Sequence, residues 1–196
     1  MRLSVLGFFL LAFSASSFAQ DISYKKQPAL GLNFFFNDFG SAAAIRANPL
    51  GSAIRDKKLA KVSDMSPGLS ISYVKGITDH LDLAATLGGS IGDYPTQNGG
   101  SLGKDGLLVE ADASVRAKML SDKYFFVPYF TAGLGLSKFE GYYGATIPVG
   151  AGIQLNLFDN AFLILSSQYR VKVTDNTNYH FTHSIGFIGS LSKSKD

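Results

Sequence analysis

Apolar and polar residues alternate almost without interruption in VEADASVRAKM, residues 109–119. Because successive side chains of a β-strand leave the backbone on opposite sides, the charged residues of this segment share one face and its smaller apolar residues share the other. The charged face carries Glu110, Asp112, Arg116 and Lys118. A soluble sheet turns such a face to water, whereas a membrane barrel turns it into its own lumen. The segment predicts a strand and leaves both orientations open.

Eight segments with this alternation follow one another along the chain. They span residues 28–36, 68–75, 81–92, 107–119, 124–137, 145–157, 161–172 and 180–191. Most of them reach the 9 to 11 residues that a tilted strand needs to cross a bilayer, whereas strands of globular proteins usually have about five or six. Their length favours strands that span a membrane.

The connections between these segments alternate in length. Longer connections at residues 37–66, 93–106, 140–144 and 173–179 alternate with short ones at residues 76–80, 120–123 and 158–160. In an up-and-down barrel, every second connection lies at the same end. The order therefore predicts short turns at one end of a barrel and longer loops at the other.

The two faces of the predicted strands differ in charge. One face is apolar and carries a charge only at Lys75 and Lys138, near strand ends. The other face carries many serines, threonines and glycines, together with the charged residues Asp82, Glu110, Asp112, Arg116, Lys118, Arg170 and Lys172. We expect these seven residues to form an ion-pair network inside the barrel.

An eight-stranded barrel has an interior that is just wide enough for side chains to fill. The sequence therefore predicts an all-β fold, an eight-stranded antiparallel up-and-down transmembrane β-barrel with a filled polar lumen. We expect no open pore, and we expect the apolar face to contact lipid.

The N-terminus predicts export. Residues 1–20 contain Arg2, an apolar core and then small residues, which is the layout of a cleaved signal peptide. Residues 21–196 would then form one barrel domain in the outer membrane. The formal net charge of +3 is too small to indicate nucleic-acid binding. With no cysteine, the chain has neither a disulfide framework nor a cysteine-bound metal.

The C-terminal part, GAGIQLNLFDNAFLILSSQYRVKVTDNTNYHFTHSIGFIGSL, contains a Gly-rich strand, an Asp-Asn turn, a strand ending in Tyr-Arg and a final strand led by His-Phe. It resembles the closing hairpins of the eight-stranded outer-membrane barrels, the OmpA-like group that contains the transmembrane domain of outer-membrane protein A and OmpX. The resemblance implies a Gram-negative outer membrane, contact with its lipid and lipopolysaccharide, and insertion by the barrel-assembly machinery.

Two features depart from that group. Some members continue into a peptidoglycan-binding domain, whereas this sequence stops at Asp196, so peptidoglycan binding is not carried over. The last strand of the group commonly ends the chain on an aromatic residue, whereas Phe187 is followed here by a polar SKSKD tail. Recognition by the assembly machinery would have to tolerate that extension.

The long connection at residues 37–66 contains a cluster of basic residues, namely Arg46, Arg55, Lys57, Lys58 and Lys61. Two interpretations apply to this cluster. It is either a solvated loop or a surface that contacts lipopolysaccharide phosphates or an unknown surface partner, because clustered cations attract anionic head groups. A short helix at residues 52–62, with Ser52 as its N-cap, would fit within it.

Little in the sequence indicates catalysis, a metal or a cofactor. His183 and Ser184 invite an enzymatic interpretation, but adjacent residues of a strand point to opposite faces. The segment NGGSLGKDG lacks the spacing of a phosphate-binding loop, and residues 175–178 lack the glycine and glutamate of a calcium loop. We therefore predict no catalytic residues, no metal site and no cofactor.

The leading hypothesis is a small outer-membrane barrel with a structural or surface-interaction role carried by its loops. A soluble, lipocalin-like barrel that binds an apolar ligand would use the same alternation with the faces exchanged. A third hypothesis is a barrel enzyme that modifies lipid A and uses His183 or His180.

Overall fold

The computed structural model describes residues 24–47, 51, 55, 59, 61–94, 106–158 and 160–191. Its strands are β1 (Ala29–Asp38), β2 (Ser66–Gly76), β3 (Leu81–Gly92), β4 (Gly106–Lys118), β5 (Phe126–Phe139), β6 (Tyr142–Phe158), β7 (Ala161–Lys172) and β8 (His180–Ser190). A helix, α1 (Phe39–Ala47), and a 3-10 turn at Val62–Asp64 lie between β1 and β2. The eight predicted strands are therefore present.

The strands form one closed ring in chain order. Each strand pairs with the next in antiparallel fashion, and β1 pairs with β8 from Ala29↔Ser190 to Asp38↔Phe181. We call the end that carries the β2–β3, β4–β5 and β6–β7 turns, together with the first and last described residues, the turn end. We call the opposite end, which carries α1, the loop end. The predicted up-and-down topology is confirmed.

The two faces of the ring differ as the alternation predicts. Exterior side chains such as Leu134 and Leu136 are 72% and 67% exposed, whereas Glu110 and Arg116 are 4% and 8% exposed. In β4, exposed and buried residues alternate from Glu110 to Lys118, with the charged residues inside. This arrangement is the reverse of a lipocalin-like barrel, and it confirms the filled polar lumen.

Glycines allow side chains and neighbouring strands to approach closely inside the narrow ring. A Cβ on Gly133 would clash with the carbonyl oxygen of Ala113 and would lie 2.7 Å from the Cα of Ser114. On the exterior, Gly189 has open space around its Cα. The lumen therefore requires glycine at positions where the exterior does not.

The loop end differs from the sequence prediction in two places. β1 continues to Asp38 and leads directly into α1, where we expected only a loop. Between β5 and β6, the expected five-residue connection is a two-residue turn, with Glu140 at φ 51° and Gly141 beside it. The expected signal peptide at residues 1–20, most of the expected helix at residues 52–62 and most of the expected loop at residues 93–106 lie outside the described residues.

Within the part of the chain that the structure describes, no helix is both long and apolar enough to cross a membrane.

Candidate functional site

Near the loop end, the lumen contains a buried network around two carboxylates. Glu110 Oε1 lies 3.1 Å from His180 Nε2 and 3.7 Å from Arg170 Nε, and the Asn37 side-chain amide donates to Glu110 Oε2 at 2.9 Å. Arg170 Nη2 donates to Asp112 Oδ2 at 2.9 Å. Pairing of this kind offsets the cost of burying these charges. The network fixes β1, β4, β7 and β8 to one another across the lumen.

An aromatic cap covers this network at the loop end. Phe39, the first residue of α1, packs on His180 with ring centroids 4.7 Å apart and on Tyr94 at 5.2 Å. Tyr94 also stacks on Phe139 at 4.9 Å. The Tyr94 hydroxyl accepts a hydrogen bond from the backbone N–H of Asn178 at 2.8 Å. Burial raises the pKa of Tyr94 to about 12.

At the turn end, the N-terminal segment enters the lumen. Lys26 Nζ lies 2.9 Å from Asp122 Oδ2 and 3.3 Å from Asp82 Oδ2, and it donates to Gln154 Oε1 at 2.6 Å. Lys118 Nζ bridges the same two aspartates at 3.0 Å and 2.9 Å. Burial lowers the pKa of Lys26, and the carboxylates of Asp122 and Asp82 oppose this effect. This ion cluster closes the turn end of the lumen.

Arg116 lies between these two clusters. It is buried, and its Nε and Nη1 atoms have no hydrogen-bond partner in the described structure, while its guanidinium lies 5.4 Å from the centre of the Tyr129 ring. It lines a cavity of about 40 Å³ together with Arg170. A space of that size holds a water molecule or two and does not form a channel.

The structure thus places six of the seven residues that we expected in the lumenal network inside the barrel. Lys172 is different, because it ends β7 at the loop-end rim and lies 3.6 Å from the exposed Asp175. Its side chain is 18% exposed, and the nearby acid belongs to the β7–β8 loop rather than to the lumen.

The basic residues of the 37–66 segment are not all in the described structure. Arg46 is exposed in the last turn of α1, and Arg55 and Lys61 are exposed as well. Lys57 and Lys58 lie outside the described residues. The guanidinium of Arg46 stacks on the Tyr179 ring at 3.9 Å, which anchors this end of α1 to the β7–β8 loop.

His183 lies on the exterior and not in the lumen. Its Nδ1 lies 3.0 Å from the hydroxyl of Ser167 on β7, and its Nε2 lies 4.0 Å from Asp38 Oδ2. Ser184 points away from it and meets the Ser166 hydroxyl at 2.7 Å. The His183 imidazole therefore contacts the Ser167 hydroxyl, but the Asp38 carboxylate is beyond hydrogen-bond distance of the imidazole. The backbone N–H groups of β7 and β8 bond to neighbouring strands, so they do not form an oxyanion hole. This geometry satisfies polar groups on an apolar surface better than it supports acyl transfer.

Among the described residues, no three His, Asp or Glu side chains come together in a way that could hold a metal ion.

Sequence reasoning missed several residues of the lumenal clusters. Lys26 and Asp122 lie outside the alternating segments, so periodicity gives no indication of where they point. Asn37 and Phe39 fall in what we expected to be a loop, and Tyr94 follows the end of a strand. The available signal was the aspartate at position 38, a preferred N-cap residue in front of FGSAAAIRA.

The chain was compared with known proteins. No family model and no curated protein matches it. Several solved structures have similar folds, among them the following three. Neisserial surface protein A (NspA) has a TM-score of 0.60 at 14% identity, covering 85% of this chain and 99% of that one. OprG from Pseudomonas aeruginosa has a TM-score of 0.55 at 11% identity, covering 85% and 97%.

The N-terminal β-barrel domain of Pseudomonas aeruginosa OprF has a TM-score of 0.51 at 14% identity, covering 84% of this chain and 98% of that one. Identities this low indicate a shared fold and carry no function across. Together with the closed ring of eight antiparallel strands, they show that this chain has the fold of the eight-stranded outer-membrane β-barrels.

Proposed function

We propose that this protein is a small outer-membrane barrel with a structural or surface-interaction role and no open pore. The observation that carries the proposal is the filled lumen, which is closed by the aromatic cap at one end and by the Lys26 ion cluster at the other. The apolar exterior supports insertion into a bilayer. The termini would lie on the periplasmic side and the loop end would face the medium.

The location and the fold can be tested in one experiment. An outer-membrane fraction is run in SDS with and without boiling, because a closed barrel without free strand edges stays compact until it is heated. We expect a clear shift in mobility on boiling. A protein that is recovered in the soluble fraction and shows no shift would contradict the proposal.

The absence of a pore has its own test. We expect the purified protein, reconstituted in a planar bilayer, to give no steady conductance under conditions in which a known porin does. Regular, reproducible channel openings would show that the lumen is not filled in the membrane.

We further propose that the loop end carries the surface-interaction role through its basic residues, which are Arg46, Arg55, Lys57, Lys58 and Lys61. Their partner would be lipopolysaccharide phosphate, and the attraction should weaken with salt. Charge reversal at Arg55 and Lys61 should reduce binding to lipopolysaccharide micelles. Charge reversal at Lys25, which is exposed at the turn end, is the matched control.

We propose no enzymatic role. Two observations support this proposal. The Ser167 and His183 side chains are hydrogen-bonded to each other, and His180 is buried against Glu110. In cells that express the protein, replacement of His183 or His180 by Ala should leave the mass spectrum of lipid A unchanged. A change in acylation that depends on His183 would favour the lipid A-modifying alternative.

A further inference from the structure

A column of aromatic rings runs down the exterior of β7 and β8 from the loop end. Tyr179 stacks on Tyr169 with ring centroids 6.0 Å apart, Tyr169 packs on Phe181 at 4.9 Å, and Phe181 stacks on His183 at 5.8 Å with the rings nearly parallel. We call these four residues the ring column. Tyr179 and His183 are four residues apart, which is roughly 13 Å along a strand.

Basic groups lie at the top of the ring column. The Arg46 guanidinium lies 3.9 Å above the Tyr179 ring, and Lys172 Nζ lies 6.0 Å from the same ring. Arg46 is held there by α1, whose first turn is capped by Asp38 Oδ1 accepting from the Ser41 N–H at 2.8 Å. A guanidinium that stacks on a ring still presents N–H donors at its edge, and their geometry suits a phosphate.

An apolar groove lies at the bottom of the ring column. It is a shallow depression of the outer surface, open along its length, with a volume of about 640 Å³. Side chains from five strands line it, among them Phe36, Phe130, Ala151, Leu165, His183 and Ile185. The hydrogen-bonded Ser167 and His183 side chains lie along it and provide its polar groups.

From this arrangement we propose that the β7–β8 face binds one phosphorylated acyl lipid of the outer leaflet. The phosphate lies at Arg46 and Lys172, the polar linkage region lies along the ring column near Ser167 and His183, and an acyl chain occupies the groove. Charge, ring column and groove follow one another in the order in which such a lipid presents its head group, linkage and chain. The inference rests on the proposed function, since it requires that the exterior faces lipid.

A second cation–aromatic pair on the exterior serves as an internal comparison. Lys138 Nζ lies 5.3 Å from the Tyr143 ring on the β5–β6 side of the loop end, and neither residue lines this groove. If any basic residue near the membrane surface were sufficient, the two positions would hold lipid equally well. The proposal predicts that they differ.

The test is native mass spectrometry of the detergent-solubilised protein with added diphosphoryl lipid A. We expect one retained lipid per protein. Because one basic residue near a lipid surface contributes about a five-fold difference in binding, Arg46→Ala should weaken retention by about that factor. Lys138→Ala should not. Lipid A from which the phosphates have been removed should bind more weakly to the wild type and equally to wild type and Arg46→Ala.

A second pair of variants tests the groove without changing any charge. Ala151→Phe places a ring in the groove and should reduce retention, whereas Ala132→Phe, on the exterior of β5 outside the groove lining, should not. The heat-shift of each variant in SDS establishes that it is folded. Equal retention by Arg46→Ala and Lys138→Ala, or by Ala151→Phe and Ala132→Phe, overturns the lipid site. A normal heat-shift in the same samples would leave the proposed barrel function intact.

Discussion

At the scale of single residues, Lys25 and Lys26 are adjacent in the chain but occupy opposite environments. Lys25 is exposed, whereas the side chain of Lys26 is 1% exposed and lies between Asp82 and Asp122. Removal of one member of a buried ion pair leaves the other charge without compensation. Lys118 still reaches both aspartates, so it compensates in part.

We therefore expect Lys26→Met to destabilise the barrel by roughly 3 kcal/mol, at the lower end for a broken buried ion pair. Lys25→Met should change stability very little. Urea unfolding in detergent micelles measures both variants. Equal midpoints for the two would show that Lys26 is not held in the lumen.

Tyr94 gives a pH-dependent prediction. Burial raises its pKa from 10.0 to about 12, so the folded protein keeps the phenol proton in an interval where the unfolded chain has lost it. The stability that this group contributes is complete below pH 10 and is lost as the pH rises towards 12. In the difference between wild type and Tyr94→Phe, tyrosinate absorbance should appear near pH 12. Its appearance near pH 10 would mean that the aromatic cap is open to water.

The two faces of β4 give a further test at neighbouring positions. Ala113 is exposed at mid-strand, and Ser114 is 6% exposed inside the lumen. Ala113→Arg should cost on the order of 2 to 4 kcal/mol, because it places a charge at the depth of the lipid chains. Ser114→Ala should be tolerated. If Ser114→Ala proved the more damaging in micelle unfolding, the assignment of the faces would be wrong.

At the scale of elements, the packing of adjacent strands depends on where glycine is placed. Gly133→Ala should destabilise the β4–β5 pair, because the new Cβ meets the backbone of Ala113 and Ser114, which cannot rotate away. Gly189→Ala on β8 meets open space and serves as the control. The temperature at which each variant loses its compact form in SDS should fall for Gly133→Ala only.

The elements also show how far the sequence could predict this fold. A barrel strand contacts lipid on one face and a filled lumen on the other, so alternation persists through all eight strands and predicts them. α1 was missed because its residues FGSAAAIRA carry no amphipathic period, and the helix is held instead by its Asp38 cap and by Phe39 in the aromatic cap. The spacing of apolar residues within a segment cannot predict such contacts with other parts of the chain.

The sequence predicted most of the charged residues that lie inside the lumen but not which of them pair with one another. We expected these charged residues to form a network. In the structure, Arg170 contacts both Glu110 and Asp112, whereas Arg116 packs near Tyr129. Strand register alone places Arg116 opposite Asp82, which is taken by Lys26 and Lys118. Which charged residues pair depends on how far each side chain extends across the lumen. The alternation of polar and apolar residues does not contain that information.

At the scale of the whole molecule, the barrel has a polar interior that is closed at both ends by different chemistry. Ion pairs close the turn end and aromatic rings close the loop end. The exterior is apolar and is the surface that we propose to contact lipid, so the molecule would use separate surfaces for stability and for interaction.

The position of Lys26 also says something about the order of assembly. Its partners Asp122 and Gln154 are 96 and 128 residues away along the chain. Contacts of such long range form only after the intervening chain has been gathered together. The first described part of the chain is therefore among the last to reach its place. The Lys26 amine should therefore react with an acylating reagent early in refolding and become protected when the ring closes. The time at which this protection appears would measure the rate of ring closure.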